Sequence, residues 1–423
     1  MHGSYLWFNH DMGSQPELEW PSTRDVPALM AAGWAPVPFR EFIVKIHSRC
    51  DLACDYCYMY EMADQSWRLQ PKRMSLDIAR RAASRIAEHA LNHKVPEIVL
   101  TLHGGEPLLA GHDLIWHLVT ETRKAVEPEV QVRVRVQTNA VGLDEPYLQL
   151  FCELGVRVGI SLDGTAEAHD RHRRFASGRG SYTAVRASLD RLRQDHFKHL
   201  FGGLLCTVDL RNEPVATYEA LAAFDPPKID FLLPHGTWNT PPPGRSLDPA
   251  DAPYGDWLIE VFNRWYPDPV TGVRLFEDII QLILGKTTAG EAVGLAPARL
   301  VVIETDGSIE QVDSLKATYD GAAKTGLHVN DDPFDSALSL PAVAARQLGV
   351  MALSPQCRAC PIRLVCGGGL YAHRYRSGTG FLNPSVYCPD LMRLIRHIHQ
   401  VVQTDIRSRL VRSHNAAPSP AVP

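Results

Sequence analysis

An α/β fold of parallel strands, with its ligand site at the strands' C-terminal ends, is what this 423-residue sequence predicts. Three observations predict it. Six strand-like runs alternate with helical ones between Phe39 and Leu233, the pattern of βαβ units. Cys50, Cys54 and Cys57 stand in CDLACDYC directly after the first strand, on a loop of the kind where such folds gather functional groups. Four further cysteines, Cys357, Cys360, Cys366 and Cys388, collect near the other end of the chain.

The elements follow in order. Residues 1–38 mix Pro, Trp and polar residues without a sustained period and read as an extended arm. Phe42–Ile46 is a strand. Ser75 is placed to cap a helix whose Ile78, Ala82, Ile86 and Ala90 recur on one face. Strands follow at 97–102, 131–137, 157–162, 204–208 and 229–233, separated by helices at 114–125 and 147–154 and one carrying Val185, Leu189 and Leu192. The run Pro241-Pro242-Pro243-Gly244 marks a break. Two helices, around 257–265 and 275–284, precede a hairpin whose strands are 300–303 and 309–312, turning at Asp306-Gly307. A long helix from Asp390 to about Leu410 ends the folded chain, and 412–423 reads as a disordered tail.

Composition narrows the function. Apolar content of 45% and charged content of 22% are those of a soluble globular protein. A net charge of −5 argues against a nucleic-acid partner, which would favour a basic surface. No basic region followed by an apolar run opens the chain, and no apolar stretch is long enough to span a bilayer. The expectation is a cytoplasmic protein with no membrane partner. Clustered cysteines in such a chain favour metal or redox chemistry over disulfides.

Three thiolates from one loop leave a zinc tetrahedron a ligand short. On a [4Fe–4S] cube they leave one iron open, and that iron can chelate the amino and carboxylate groups of S-adenosylmethionine (SAM). Further residues stand after successive strands: Gly104-Gly105-Glu106-Pro107 after the second, Gln137-Thr138-Asn139 at the end of the third, Ser161 and Asp163 at the fourth. In this order they resemble the radical SAM superfamily over roughly residues 39–235. The resemblance implies a partial (β/α)6 TIM-like barrel. It also implies a SAM site in which Gly104 and Gly105 allow close approach and Glu106 receives the ammonium. Thr138, Asn139, Ser161 and Asp163 would lie along the ribose and carboxylate side. Arg173 stands where related enzymes bind the carboxylate, with Arg171 and Arg174 as competitors. Tyr56 and Tyr58 pack against the cluster or the adenine, or are structural. Cys152 and Cys206 read as small core residues.

The run Cys357-x2-Cys360-x5-Cys366, with Cys388 beyond it, resembles the C-terminal SPASM extension of peptide-modifying radical SAM enzymes. That family has a further cysteine where this chain has Leu370, and cysteines around the hairpin where this chain reads ETDGSIEQVD from Glu304 to Asp313. The resemblance therefore implies one auxiliary [4Fe–4S] cluster at the four cysteines, with its neighbour lost; a structural zinc is the alternative. The expected organisation is an arm (1–38), a radical SAM core (39–240), a helical linker region (241–297), a SPASM-like auxiliary-cluster domain (298–411) and the tail.

More narrowly, KIHSRCDLACDYCYMYE, ADQSWR, DFLLPHGTW, ETDGSIEQVDSLK and CGGGLYAHRY resemble the FxsB-type clade, which contains three-residue cyclophane synthases. The resemblance implies a ribosomal precursor peptide as substrate. An aromatic ring carbon is joined to the Cβ of a residue two positions on, and an external reductant such as flavodoxin or ferredoxin serves the enzyme. Glu304, Glu310 or Asp313 would supply the catalytic base where the lost cluster would have been, unless they are surface or turn acids. The auxiliary cluster would accept the electron. His235 and Trp238, after the sixth strand, stand near the expected substrate entrance. The alternatives on the same scaffold are an ether or thioether cross-link, epimerisation, or oxidation to formylglycine.

Overall fold

Six strands run parallel in chain order, each hydrogen-bonded to the next: β1 (Glu41–His47), β2 (Glu97–Gly104), β3 (Gln131–Thr138), β4 (Val156–Ser161), β5 (Phe201–Thr207) and β6 (Lys228–Leu232). The computed structural model describes residues 20–246, 248 and 250–415, with side chains described as far as Arg409. Expectations for residues 1–19 and 416–423 lie outside the described residues.

The βαβ expectation holds because each crossover carries its own start signal and apolar face. Ser75 Oγ accepts the Ile78 N–H at 3.2 Å and opens the helix Leu76–Asn92. That helix buries Ile86 together with Ala79, Ala82, Ala83 and Ala90, small residues that allow close packing. Asp144 caps Glu145–Leu154 in the same way, and Gly155 ends it in the left-handed conformation. Strand β5 starts at Phe201, ahead of the expected 204, because Gly202 and Gly203 weaken the strand signal without preventing pairing.

Two local expectations change. Within the arm, Asp25 caps a short helix, Val26–Ala31. The last helix runs from Cys388 to Asn415, beyond its expected end and into the stretch read as a tail.

The larger finding concerns the hairpin. Strand β7 (Gly272–Val273) extends one edge of the sheet beside β6, and β8 (Leu300–Ile303) pairs in parallel with β1 on the other side. Antiparallel β9 (Ser308–Glu310) and β10 (Lys324–His328) follow, so the order is β10-β9-β8-β1-β2-β3-β4-β5-β6-β7 in one ten-stranded sheet. The sheet thus crosses the boundary expected at residue 298.

The β1–β8 register, Val44 opposite Ile303, puts Lys45 beside Glu304. Lys45 Nζ lies 2.7 Å from Glu304 and 2.6 Å from Asp313, and Lys316 Nζ lies 2.8 Å from Glu304 and 2.7 Å from Glu310. All five residues are buried. Desolvating five charges is costly, and their mutual pairing offsets that cost only while every partner is present. Replacing Lys45 by Met leaves Asp313 buried without its cation. The expected loss is about 3–5 kcal/mol of unfolding free energy in denaturant titrations; a loss within error would show that the cluster does not hold the hairpin to β1.

Candidate active site

The loops at the C-terminal ends of β1–β6 enclose a cavity of about 970 Å³. Cys50, Cys54 and Cys57 line it, and so do Tyr56, Gly104, Gly105, Glu106, Thr138, Asn139, Ser161, Asp163 and Arg173. Every residue that the sequence assigns to the SAM site meets in this one space.

The two glycines are there for steric reasons. A Cβ on Gly104, whose φ is +146°, would overlap the His47 carbonyl oxygen, and one on Gly105 would overlap the Tyr60 hydroxyl. The chain therefore passes directly over the loop that carries the cysteines. Glu106 is buried behind it. Its carboxylate accepts hydrogen bonds from Thr138 Oγ1 (2.6 Å), the Asn139 N–H (2.8 Å) and the Leu108 N–H (3.0 Å). Burial nonetheless pushes its pKa up to about 7, against the pull of those donors. Asn139 Nδ2 donates to Asp51 at 2.7 Å and so ties the end of β3 to the cysteine loop. Gln137 Nε2 donates to Ser161 Oγ at 3.0 Å, joining β3 to β4.

Across the cavity, the Tyr56 hydroxyl donates to Asp163 Oδ2 and accepts from Arg173 Nη1 at 2.9 Å. Asp163 Oδ1 accepts the Thr207 N–H at 3.0 Å. Arg173 Nε is buried without a partner, a free donor on a cationic group at the cavity wall. The competing arginines turn away: Arg171 pairs with Asp209 at 2.7 Å, and Arg174 Nε donates to the Asp170 carbonyl.

Burial pushes the Cys54 thiol up to about 11 and raises Cys50 and Cys57 as well. Such thiols are poor nucleophiles, and a metal is what deprotonates them. With an unpartnered cationic donor on the wall facing them, the donor set suits a metal cluster bearing an anionic ligand group. At the far end of the chain, Cys357, Cys360, Cys366 and Cys388 bound a second, smaller cavity of about 70 Å³ together with Ile362 and Met392. Burial pushes Cys366 up to about 12 and Cys388 up to about 11. Cys206 is buried in β5, and Cys152 sits half-buried 3.8 Å from His199, apart from both groups.

Glu304, Glu310 and Asp313 are not surface acids, at 3%, 2% and 4% exposure, and none of them lines the main cavity. They lie behind its wall, where Tyr58, His103 and Ala317 stand and where the field of Asp313 reaches Tyr58 and His103. Burial opposes ionisation of Glu304, but Lys45 and Lys316 outweigh it and hold the carboxyl down at about 2. For Glu310, burial and the charge of Glu304 prevail and push it up to about 7. His235 lines the cavity, and burial lowers its pKa to about 4, so the imidazole is neutral. Trp238 does not line it: its indole N–H donates to the Pro384 carbonyl at 2.8 Å, and Arg376 stacks on the ring. Lys45 and Lys316 fall within stretches that carry a family resemblance, but no sequence signal marks Lys45, Lys316 or His103 as neighbours of these acids.

This geometry agrees with a family match. Residues 44–222 match the family model of the Radical SAM superfamily, so this part of the chain is a radical SAM domain, of a class that works with SAM and a [4Fe–4S] cluster. Over 367 residues it is 26% identical to the serine-type anaerobic sulfatase-maturating enzyme of Klebsiella aerogenes, covering 85% of this chain and 86% of that one. It is also 26% identical over 274 residues to the cysteine-type anaerobic sulfatase-maturating enzyme of Clostridium novyi, covering 63% and 71%. Among solved structures, native anSMEcpe with bound AdoMet and Cp18Cys peptide superposes with a TM-score of 0.73 at 21% identity, covering 86% of this chain and 99% of that one. Streptococcus suis SuiB bound to precursor peptide SuiA superposes at 0.55 and 11% identity, covering 86% and 78%. At such identities the likeness is one of fold. No helix among the described residues is long and apolar enough to cross a membrane.

With its pKa near 7, Glu106 is a carboxylate above that pH and a neutral acid below it. SAM affinity, measured by equilibrium binding, is therefore expected to weaken as the pH falls from about 8 to about 6. Glu106→Gln should bind SAM more weakly and lose this pH dependence. An unchanged pH profile in that variant would remove Glu106 from ammonium binding.

Proposed function

We propose that this protein modifies a peptide by removing a hydrogen atom from the Cβ of one residue and joining that carbon to an aromatic ring in a neighbouring residue. The carrying observation is the single cavity. It brings the three-cysteine loop, Glu106 and the Tyr56–Asp163–Arg173 group together, and it extends past them to a wall of Leu232, Leu233, Pro234 and His235 that none of those groups uses. A peptide as substrate is supported by the fold shared with anSMEcpe and SuiB, both solved with peptides bound.

In this reading Cys50, Cys54 and Cys57 hold the SAM-binding [4Fe–4S] cluster, and Cys357, Cys360, Cys366 and Cys388 hold an auxiliary one. The bound SAM and cluster supply one-electron chemistry able to take a hydrogen atom from an unactivated carbon. The chain does the rest. Glu106 holds the SAM ammonium, and Arg173, fixed by Tyr56 and Asp163, presents its free Nε to the carboxylate. The neutral His235 and the apolar wall keep water from the reacting carbon. The product forms with loss of two hydrogens, one as an atom taken by the SAM-derived radical and one as a proton, whose electron the auxiliary cluster at Cys357, Cys360, Cys366 and Cys388 would accept. The proton is taken by a carboxylate behind the Tyr58 wall. Glu310 (pKa about 7) is suited to that task, whereas Glu304 is held too acidic by two lysines; Asp313, paired with Lys45, is the other candidate. An external flavodoxin or ferredoxin supplies reducing electrons.

A second reading, oxidation of a serine or cysteine to formylglycine, is favoured by the sulfatase-maturating relatives, which align over most of the chain. Co-expression with peptides encoded by short reading frames beside the gene separates the two. Cross-linking and serine oxidation both remove two hydrogens, so the discriminating readouts are fragmentation and aldehyde capture. The cross-link suppresses backbone fragments between the joined residues and leaves no hydrazide-reactive group; an aldehyde reverses both results.

The acids are tested separately. Changing Glu304, Glu310 and Asp313 one at a time to the amide should leave 5′-deoxyadenosine release intact. Product formation should fall by about 10²–10⁴-fold in the variant that removes the base. Three variants at the parental rate would place the base elsewhere.

A further inference from the structure

Beside the second group of cysteines lies a buried cation that no carboxylate answers. Arg374 is only 8% exposed. Its Nη2 donates to the carbonyls of Gly367 (2.6 Å) and Gly369 (2.7 Å), and its Nε donates to that of Gly368 (3.1 Å). Those three carbonyls converge because Gly367, Gly368 and Gly369 all take positive φ, +59°, +81° and +68°. A Cβ on Gly367 would overlap the Gly294 carbonyl oxygen, and one on Gly368 would come within 3.0 Å of the Arg374 guanidinium carbon. The CGGG run directly after Cys366 is thus a collar closed around one guanidinium.

Three other arginines whose side chains are largely withdrawn from solvent have an acidic group at hand. Arg173 is held by Tyr56, itself bonded to Asp163; Arg346 pairs with Glu291; Arg245 lies 3.8 Å from Asp390. Among the described residues no carboxylate pairs with Arg374, and carbonyl dipoles with the Tyr371 ring, 5.4 Å from the guanidinium carbon, are weak compensation for a buried full charge. After Tyr371, the ionisable groups whose charge would reach Arg374 most strongly are the thiols of Cys366 and Cys357, ahead of Glu291. As free thiols those two carry no charge. As ligands of a metal group they are thiolates, and four of them make that group anionic.

We infer that Arg374 is the counter-charge of an anionic iron–sulfur group at Cys357, Cys360, Cys366 and Cys388, and that its fixed positive charge raises that group's reduction potential. The inference rests on the reading that these cysteines hold a [4Fe–4S] cluster. Arg374 is a positioning residue: it touches no substrate, and it acts by stabilising the extra negative charge of the reduced state. Lysine keeps the charge and loses the planar fork; methionine keeps much of the bulk and loses the charge.

The test uses the full chain carrying Cys50→Ala, Cys54→Ala and Cys57→Ala, so that only the second site is loaded on anaerobic reconstitution with iron and sulfide. About four irons per chain are expected. Absence of iron, or zinc in its place, would defeat the cluster reading itself. With the cluster in place, its midpoint potential is measured by spectroscopically monitored redox titration in this background and with Arg374→Lys or Arg374→Met added. The expected order is parent close to Arg374→Lys, with Arg374→Met shifted to more negative potential. A loaded Arg374→Met protein that titrates at the parental potential overturns the inference and leaves the cluster reading standing. If Arg374→Met holds no cluster while Arg374→Lys does, the charge requirement is upheld through occupancy. If both lose it, the fork that gathers the glycine carbonyls is what matters, and the charge role is rejected.

Discussion

Strand β1 bears the constraint on which the rest depends. Its carboxyl end launches the loop of Cys50, Cys54 and Cys57, one edge carries β2 with Gly104 and Gly105, and the other edge carries β8 of the distant hairpin. The Val44–Ile303 register is locked by Lys45 reaching Glu304 and Asp313. A shift of one residue would turn Lys45 to the opposite face of the sheet and strand those acids in an apolar interior. The ion cluster thus ties the geometry of the radical-generating loop to the placement of the acids behind the Tyr58 wall. A loop proposed to hold three thiols in register for a four-iron cluster gains from having its strand paired on both edges.

Buried charge recurs as the organising theme around both cysteine groups, handled differently each time. At the hairpin, two lysines meet three carboxylates, and the imbalance appears as the raised pKa of Glu310. At the main cavity, Arg173 is balanced by Asp163 through the Tyr56 hydroxyl while keeping Nε unpartnered on the wall. At the second group, Arg374 has three carbonyls and the Tyr371 ring, with no carboxylate paired to it among the described residues. The progression from closed network, to half-open pair, to unanswered cation follows the position of each group. The hairpin cluster faces protein, Arg173 faces the SAM side of the cavity, and Arg374 faces cysteines whose ligand charge the chain does not carry itself. Cavity size fits the same division of labour. About 970 Å³ accommodates a cofactor and a substrate side chain, whereas about 70 Å³ between four cysteines suits a buried inorganic group.

The likeness to sulfatase-maturating enzymes bears on chemistry more than on architecture. Cross-linking and formylglycine formation both begin by removing a Cβ hydrogen, so one cavity floor serves either. In the proposed reading the outcomes part after that step: the Cβ radical either meets an aromatic ring held against the wall beyond Tyr58 and His235, or is oxidised together with the oxygen or sulfur it already bears. The full set of SAM-site residues therefore says little about the final product.

The main cavity was legible in the sequence because its residues belong to short motifs placed at strand ends. CDLACDYC, GGEP, Gln137-Thr138-Asn139 and Ser161-x-Asp163 each sit where a periodic strand stops, and parallel strands in chain order bring such ends together without further information. The alternating apolar pattern likewise fixed the βαβ units to within a few residues. Only the tertiary structure decided the rest. It joined β8 to β1 and buried Glu304, Glu310 and Asp313 with Lys45 and Lys316; it turned Arg173 rather than Arg171 or Arg174 into the cavity, and it closed the CGGG run on Arg374. These outcomes depend on contacts between segments far apart in the chain. A residue's charge and type are written in the sequence, but whether that charge faces water, a carboxylate or a cysteine site is set by which distant surface packs against it.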